Sequence, residues 1–381
     1  MTEEQKKLKE RIRTFVDAEV RPVTERLDRT GEFPDSIIKR MGEQGFTGIP
    51  FPEELGGLGG TLTDGLIFIE EISRGLVSLG AIMNVQMMQC CYSLQGSVTE
   101  SQRKDWLMPA IAGRKILAFA LGEESCGSDA FNISTIASCT PEGWVLNGSK
   151  YWITNAGVAD GYIVAAKTKA GDRNRNVSLF YVDAGNKGVE ECRDHLLGFN
   201  NSPTGRVKFR NCILPPDSLI GSENGAYRII KNALNYGRLA AAAMSIGAAQ
   251  AALELSVSYS RERGHFGRSI SSYQGVSFPI AEMYTQITTN RNMMYHVAER
   301  AEAGERITMD AAALKLSASE MCRRACDDML LIHAGAGCRA GCEAERLVRD
   351  SRLLTIVNGT SQICRTIIAN RLFASPDSMS E

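Results

Sequence analysis

The hydrophobic period of this 381-residue chain changes twice, and that alternation restricts the fold more than any single motif. Up to about residue 115 apolar residues recur at helical spacing. Leu8, Ile12, Phe15, Val16 and Val20 share one face, 34–44 forms a second amphipathic stretch, and 64–96 forms a third. Thr2-Glu3-Glu4-Gln5 and Thr99-Glu100-Ser101-Gln102 are capping-box patterns, and Pro22 reads as a helix stop. A glycine loop, Leu55-Gly56-Gly57-Leu58-Gly59-Gly60, interrupts the helical pattern. Near Ile116 the period falls to two. Short β-type runs follow at 116–121, 133–139, 144–147, 162–168, 177–183 and 207–213, punctuated by glycine, asparagine and aspartate. Asn147-Gly148 reads as a tight turn, and Pro215-Pro216 closes the region. From about Gly225 the helical period returns in long segments, 225–263, 274–302, 308–333 and 343–373. Short strands without intervening helices predict an antiparallel barrel or sandwich. Long helices on short loops predict a bundle. The expected class is α+β: a helical domain over 1–115, a central β domain over 116–222 and a helical bundle over 223–381.

Composition narrows the function classes. Lys+Arg total 43 against 44 Asp+Glu, so no basic surplus points to a nucleic-acid or membrane-surface partner. Eleven cysteines are scattered, and the charged N-terminus lacks an apolar signal core, which predicts reduced thiols and a cytoplasmic protein. No stretch reads as a membrane span of ~20 apolar residues. The nearest, 239–255, is interrupted by Ser245, Gln250 and Glu254 and reads as a helix packed among helices.

Several groupings invite chemistry. Gly335-Ala336-Gly337 follows a helix and lacks the full dinucleotide fingerprint, so it reads as a helix–helix turn. Cys322, Cys326, Cys338 and Cys342 form two C-x3-C pairs around His333. That spacing is looser than a zinc finger's, and Arg323, Arg324 and Arg339 crowd it, so buried thiols without a metal are expected. None of the four histidines sits in a serine- or cysteine-nucleophile motif. The segment Leu121-Gly-Glu-Glu-Ser-Cys-Gly-Ser-Asp129 offers backbone N–H groups and hydroxyls to a polar ligand. Trp152 and Thr154, two apart on a strand, share a side.

Taken in order, five segments resemble the acyl-CoA dehydrogenase family of flavoproteins along the whole chain. They are Glu123-x-x-x-Gly127-Ser128-Asp129, Asn147-Gly-Ser-Lys150-Tyr-Trp-Ile-Thr-Asn155, Arg261-Glu-Arg-Gly-His-Phe-Gly-Arg268 with Tyr273-Gln274, Arg349-Asp350 with Asn358-Gly-Thr-Ser-Gln362, and Ala369-Asn-Arg371. The resemblance implies a homotetramer or homodimer that binds FAD at a subunit boundary. It places the isoalloxazine against 119–128, with Phe119, Leu121, Gly122 and Ser128, and against Trp152, Ile153 and Thr154. It sends Arg263 to the pyrophosphate and Phe266 to the adenine of a neighbouring subunit's cofactor. Gln274, Leu331, Gly335, Thr360 and Gln362 complete the dinucleotide site. Ser128 then touches the pantetheine arm of a thioester, and Asn235 and Arg238 lie at the substrate end. The implied chemistry is α,β-dehydrogenation of an acyl-CoA or acyl-carrier thioester: a base takes the α proton while the β hydrogen leaves as hydride. Electron-transfer flavoprotein is the implied acceptor.

The sequence departs from that pattern at the base. The family's glutamate precedes the Gly-Thr of the last signature, where this chain has Asn358. The alternative glutamate directly precedes the helix arginine, where this chain has Gly237. An amide is not a general base near neutral pH. The residue 358 backbone N–H can still donate to a thioester oxygen. Gly122 and Leu331 stand where the family often has threonine and glutamine, each forgoing a hydrogen bond worth ~1 kcal/mol. Three readings follow: dehydrogenation with a relocated base; a flavoenzyme of the same fold doing decarboxylation, desulfination, enoyl reduction or oxygenation; and a thioester- or metal-binding protein without turnover.

Overall fold

The computed structural model describes residues 1–168 and 176–374. The first capping box opens helix Glu3–Phe15. Thr2 Oγ1 accepts from the Gln5 N–H at 3.2 Å, and Gln5 Oε1 accepts from the Thr2 N–H at 3.0 Å. Thr99 and Gln102 form the second box. Pro22 is not a stop. The chain loosens into a π-helical turn at Val16–Val20 and tightens into the 3-10 turn Arg21–Val23. It then resumes as helix Thr24–Thr30, ended by Gly31 at φ 66°. Proline fits there because a first-turn N–H has no helical partner to lose.

After the glycine loop come Leu62–Gly75, Val77–Met83 and a nine-residue π-helical segment, Asn84–Tyr92. Its Gln86 ties the helical unit to the sheet. Gln86 Nε2 donates to the Ala110 and Lys115 carbonyls (2.9 and 2.8 Å), and Oε1 accepts from the Leu117 N–H (2.7 Å).

The central domain is one eight-stranded sheet: β1 (Leu117–Ala120), β2 (Ile136–Thr140), β3 (Gly143–Thr154), β4 (Gly161–Lys167), β5 (Val177–Asp183), β6 (Val189–Asp194), β7 (Thr204–Leu214) and β8 (Leu219–Ile220). Their order is β6-β7-β3-β2-β4-β5-β8, with β1 beside β4. The sheet is mixed, because β4 runs parallel to β1 and β2 while the remaining pairs are antiparallel. Asn147-Gly148 is a bulge inside β3 rather than a turn. Gly148 takes φ 151°, and a Cβ there would stand 2.5 Å from Thr135 Oγ1. Asn147 Oδ1 accepts from the Asn211 N–H of β7 at 2.8 Å. The motif thus bends a paired strand instead of reversing the chain.

In the C-terminal unit Ala226–Glu262, Gln274–Glu302 and Thr308–His333 form the expected long helices. Ala226–Glu262 is long and apolar enough to cross a membrane, a departure from the sequence reading, but its apolar stretch is mostly buried in the protein. Its small residues permit close helix contact: a Cβ on Gly247 would stand 2.1 Å from the Glu70 carbonyl oxygen. The run 343–373 is two helices, Glu343–Leu354 and Ser361–Leu372. Asn358 (φ 54°) and Gly359 (φ 100°) lie in the break, in backbone conformations that cannot continue a right-handed helix.

Candidate active site

The first wall of the site grows from the ends of β1 and β3. The Tyr151 N–H donates to the Gly122 carbonyl at 2.9 Å, and Lys150 Nζ donates to the Leu121 carbonyl at 2.9 Å. These bonds hold the 121–129 turn against 150–154. Phe119, Leu121 and Ile153 are buried, Gly122 and Thr154 half-buried, and Ser128 exposed. The Ile153 side chain faces the core, so its route to a ligand is the backbone. Trp152 stands 59% exposed with φ 60°.

Glu123, the first residue of the signature, is a structural anchor. One carboxylate oxygen accepts from Lys150 Nζ (2.9 Å), the Thr135 N–H (2.9 Å) and Thr135 Oγ1 (2.7 Å). The other accepts from the Ser134 N–H (2.7 Å) and Ser134 Oγ (2.5 Å). Burial pushes this carboxyl up, but the Lys150 charge and the Ser134 and Thr135 hydrogen bonds outweigh it and hold the pKa at about 2. A carboxylate so occupied is no proton acceptor at neutral pH. Burial lowers Lys150 to about 8 against the pull of Glu123.

The second wall belongs to the bundle. Arg263, Phe266 and Gln274 lie exposed on and after the small hairpin that follows helix 226–262, with Phe266 at φ 50°. Arg263 makes no ion pair among the described residues. Leu331 and Gly335 are exposed at the end of helix 308–333. Thr360 caps the last helix, its hydroxyl accepting from the Ile363 N–H at 3.2 Å, and Gln362 is exposed in the first turn. Among the described residues no hydrogen bond or ion pair joins the 263–274 group to the β wall.

A third group of residues brings both expected base positions together. Asn358 Nδ2 donates to the Gly237 carbonyl at 2.5 Å, and Asn358 Oδ1 accepts from Gln89 Nε2 at 2.8 Å. Asn84 Nδ2 also donates to the Gly237 carbonyl, at 3.2 Å. A Cβ on Gly237 would meet Gln89 Nε2 at 2.7 Å and Asn358 Nδ2 at 3.2 Å. Next along the helix, Arg238 Nη1 donates to Asn235 Oδ1 at 2.9 Å, and Asn235 Nδ2 donates to Thr308 Oγ1 at 3.1 Å. Lys315 Nζ donates to the Gly359 carbonyl at 2.8 Å. Burial lowers Lys315 to about 8; the Arg238 charge adds to that effect, and Cys364 and Glu320 oppose it. Sequence reasoning missed Gln89, Asn84 and Lys315. The available signal was polar residues set in otherwise apolar helical stretches.

The paired cysteines hold no such cluster. Cys322 and Cys326 are buried on one helical face, Cys338 is exposed, and the Cys342 thiol faces the Gly337 carbonyl at 3.3 Å. Among the described residues no group of three His, Cys, Asp or Glu side chains is arranged to hold a metal.

Family models for the N-terminal, middle and C-terminal domains of acyl-CoA dehydrogenase match residues 2–114, 118–212 and 223–373. The chain belongs to the acyl-CoA dehydrogenase family. It is 32% identical to the short-chain-specific acyl-CoA dehydrogenase of Clostridium acetobutylicum over 98% of this chain and 99% of that one. It is 33% identical to the caffeyl-CoA reductase-Etf complex subunit CarC of Acetobacterium woodii, over 97% and 98%. Its fold superposes on butyryl-CoA dehydrogenase from Megasphaera elsdenii with a TM-score of 0.95 and 29% identity, covering 98% and 99%. The chain is thus an oxidoreductase for CH–CH groups of acyl thioesters, and FAD is the cofactor of the family. The residues present fit that cofactor. Phe266 (86% exposed), Leu331 (77%) and Trp152 are large apolar groups standing in solvent beside polar backbone, and Arg263 offers an uncommitted guanidinium to a pyrophosphate.

Proposed function

We propose that the chain catalyses α,β-dehydrogenation of an acyl thioester with the proton acceptor at neither residue 358 nor residue 237. The observation that carries this reading is the amide interlock. Both polar atoms of the Asn358 side chain are committed, one to Gly237 and one to Gln89, and Gln89 fills the space a side chain at 237 would need. FAD, when bound, accepts the hydride equivalent released from the β carbon. Phe119, Leu121, Gly122, Ser128, Trp152, Ile153 and Thr154 form its ring face. Arg263, Phe266, Gln274, Leu331, Gly335, Thr360 and Gln362 form its dinucleotide face. Because Phe266 stands so far into solvent, it and Arg263 are supplied to a neighbouring copy's cofactor in a homotetramer or homodimer. Ser128 touches the thioester's pantetheine arm, and the 358 backbone N–H polarises its carbonyl. CoA is the expected carrier, as in the names of the relatives, and an acyl-carrier protein is the alternative. Electron-transfer flavoprotein is the electron partner, in keeping with the Etf complex to which the Acetobacterium relative belongs.

An anaerobic panel of saturated acyl-CoA and acyl-carrier thioesters tests the reading. At least one should bleach the bound oxidised flavin and yield the enoyl product by mass spectrometry. A flavin that dithionite reduces but no thioester in the panel does would refute dehydrogenation. A product short of one carboxylate would place the chain with the decarboxylating reading.

A further inference from the structure

Two cations are buried beside Asn358, and no carboxylate among the described residues pairs with either. Arg238 is 6% exposed and Lys315 fully buried. The hydrogen-bond partners of both are neutral: Asn235 Oδ1 for Arg238 and the Gly359 carbonyl for Lys315. Among the described residues Arg238 Nε has no hydrogen-bond partner, and Nη2 makes no hydrogen bond. Glu320, the acid that Lys315 senses, is committed elsewhere. It accepts from Ser361 Oγ at 2.7 Å and lies 3.6 Å from Arg323 and 4.0 Å from Arg365. Both cations flank one residue. Lys315 reaches the Gly359 carbonyl, and a Cβ on Gly359 would lie 3.9 Å from Arg238 Nε and 3.9 Å from its Nη2.

An arginine stays charged when buried, and an uncompensated buried cation is strongly unfavourable. The Nε/Nη2 edge of a guanidinium is one of the two forks that match the two oxygens of a carboxylate. Here that edge is the unpartnered one, it lies next to the slot, and the slot side chain is a neutral amide. We propose that the acyl part of the thioester carries a carboxylate, received by the Nε/Nη2 edge of Arg238 with Lys315 supplying the second positive charge. This names the substrate class of the site and rests on the thioester reading above.

The test titrates FAD-replete protein anaerobically with butyryl-CoA and succinyl-CoA, and with valeryl-CoA and glutaryl-CoA, reading the flavin spectrum. Each dicarboxylic thioester should bind about tenfold or more tighter than its length-matched partner. Lys315→Met should shrink that ratio by about fivefold or more. Asn358→Glu sets a fixed carboxylate beside the cations and should bring the ratio close to one with FAD retained, which keeps the test open should Lys315→Met fail to fold. Equal or weaker binding of the dicarboxylic thioesters overturns the proposal, as does a ratio that Asn358→Glu leaves intact. A flavin spectrum that no thioester perturbs defeats the thioester reading itself, and the proposal with it, and differs visibly from a ratio of one.

Discussion

Replacing Asn358 by glutamate restores a carboxylate at the position where the resemblance expects a base, and its consequences follow from the contacts already described. The substitution removes the Asn358 donor from the Gly237 carbonyl. That oxygen keeps its bond from Asn84 Nδ2 at 3.2 Å, so it is not orphaned. The loss is about 1 kcal/mol, the net worth of one neutral hydrogen bond. Gln89 Nε2, now bonded to Asn358 Oδ1, remains a donor suited to a carboxylate oxygen. The nearby Arg238 and Lys315 charges favour the ionised form, which keeps the new group a base at pH 7. A positioned general base is worth about 10²–10⁴-fold in rate. Anaerobic stopped-flow mixing with a neutral saturated acyl-CoA should therefore show flavin bleaching at least about a hundredfold faster than in the parent protein. Asn358→Gln, which keeps an amide, should show no gain. If the glutamate variant holds FAD, binds the thioester and bleaches no faster than the glutamine variant, the side chain at 358 is not aimed at the α carbon and the placement of the slot is wrong.

Three further outcomes follow from the contacts. Gly237→Ala should leave stability within about 1 kcal/mol, because the helix-propensity gain of about 1 kcal/mol is offset by the displaced Gln89–Asn358 bond; the flavin perturbation on thioester binding should change, and an unchanged spectrum would mean that Gln89 moves freely. Glu123→Gln should destabilise by about 3 kcal/mol at neutral pH, the equivalent of a carboxyl held near 2 instead of 4.5. A depressed carboxyl contributes stability above its unfolded pKa and loses it as pH falls, so chemical denaturation of the parent should weaken between about pH 4.5 and 2, and the variant should show a flatter acid limb. Lys150 gives the same direction at alkaline pH, but by relief of a penalty: its charged form is disfavoured on folding, so its penalty holds below about 8 and is relieved as pH rises towards 10.5.

The long helices 274–302 and 308–333 were legible because an amphipathic period sustained over seven turns has few competing folds. The β strands were legible where branched and aromatic residues concentrate, as in β5, and not where charge covers the strand, as in β6 with Glu190, Glu191 and Arg193. The break at 355–360 went unread because apolar residues continue on both sides, although Asn358-Gly359 is a turn dipeptide. Parallel pairing of β1 with β4 is a property of strands 40 residues apart and leaves no local mark. The same holds for the slot. The meaning of Gly237 and Asn358 was visible as a missing carboxylate, but Gln89 is 269 residues from Asn358, and nothing in its own helix shows where it reaches.

That distant glutamine also explains why asparagine suits residue 358. The position sits at φ 54°, where asparagine is among the few non-glycine residues at ease. Glycine would accept the backbone but leave the Gln89 donor without its acceptor. Aspartate would accept the backbone and the Gln89 bond, but would turn an acceptor towards the Gly237 carbonyl, which needs a donor. Only the amide answers both partners. The same Gln89 closes the space at 237, so the two carboxylate positions are shut by one interlock. Residue 358 is then a fitted part of an altered pocket rather than a worn base. A double-mutant cycle measures this directly. Gln89→Ala and Asn358→Ala share a contact, so denaturant unfolding of the FAD-replete variants should give a coupling energy of about 1 kcal/mol. Strict additivity of the two losses would show that the side chains do not bear on each other, and asparagine at 358 would then be a matter of backbone geometry alone.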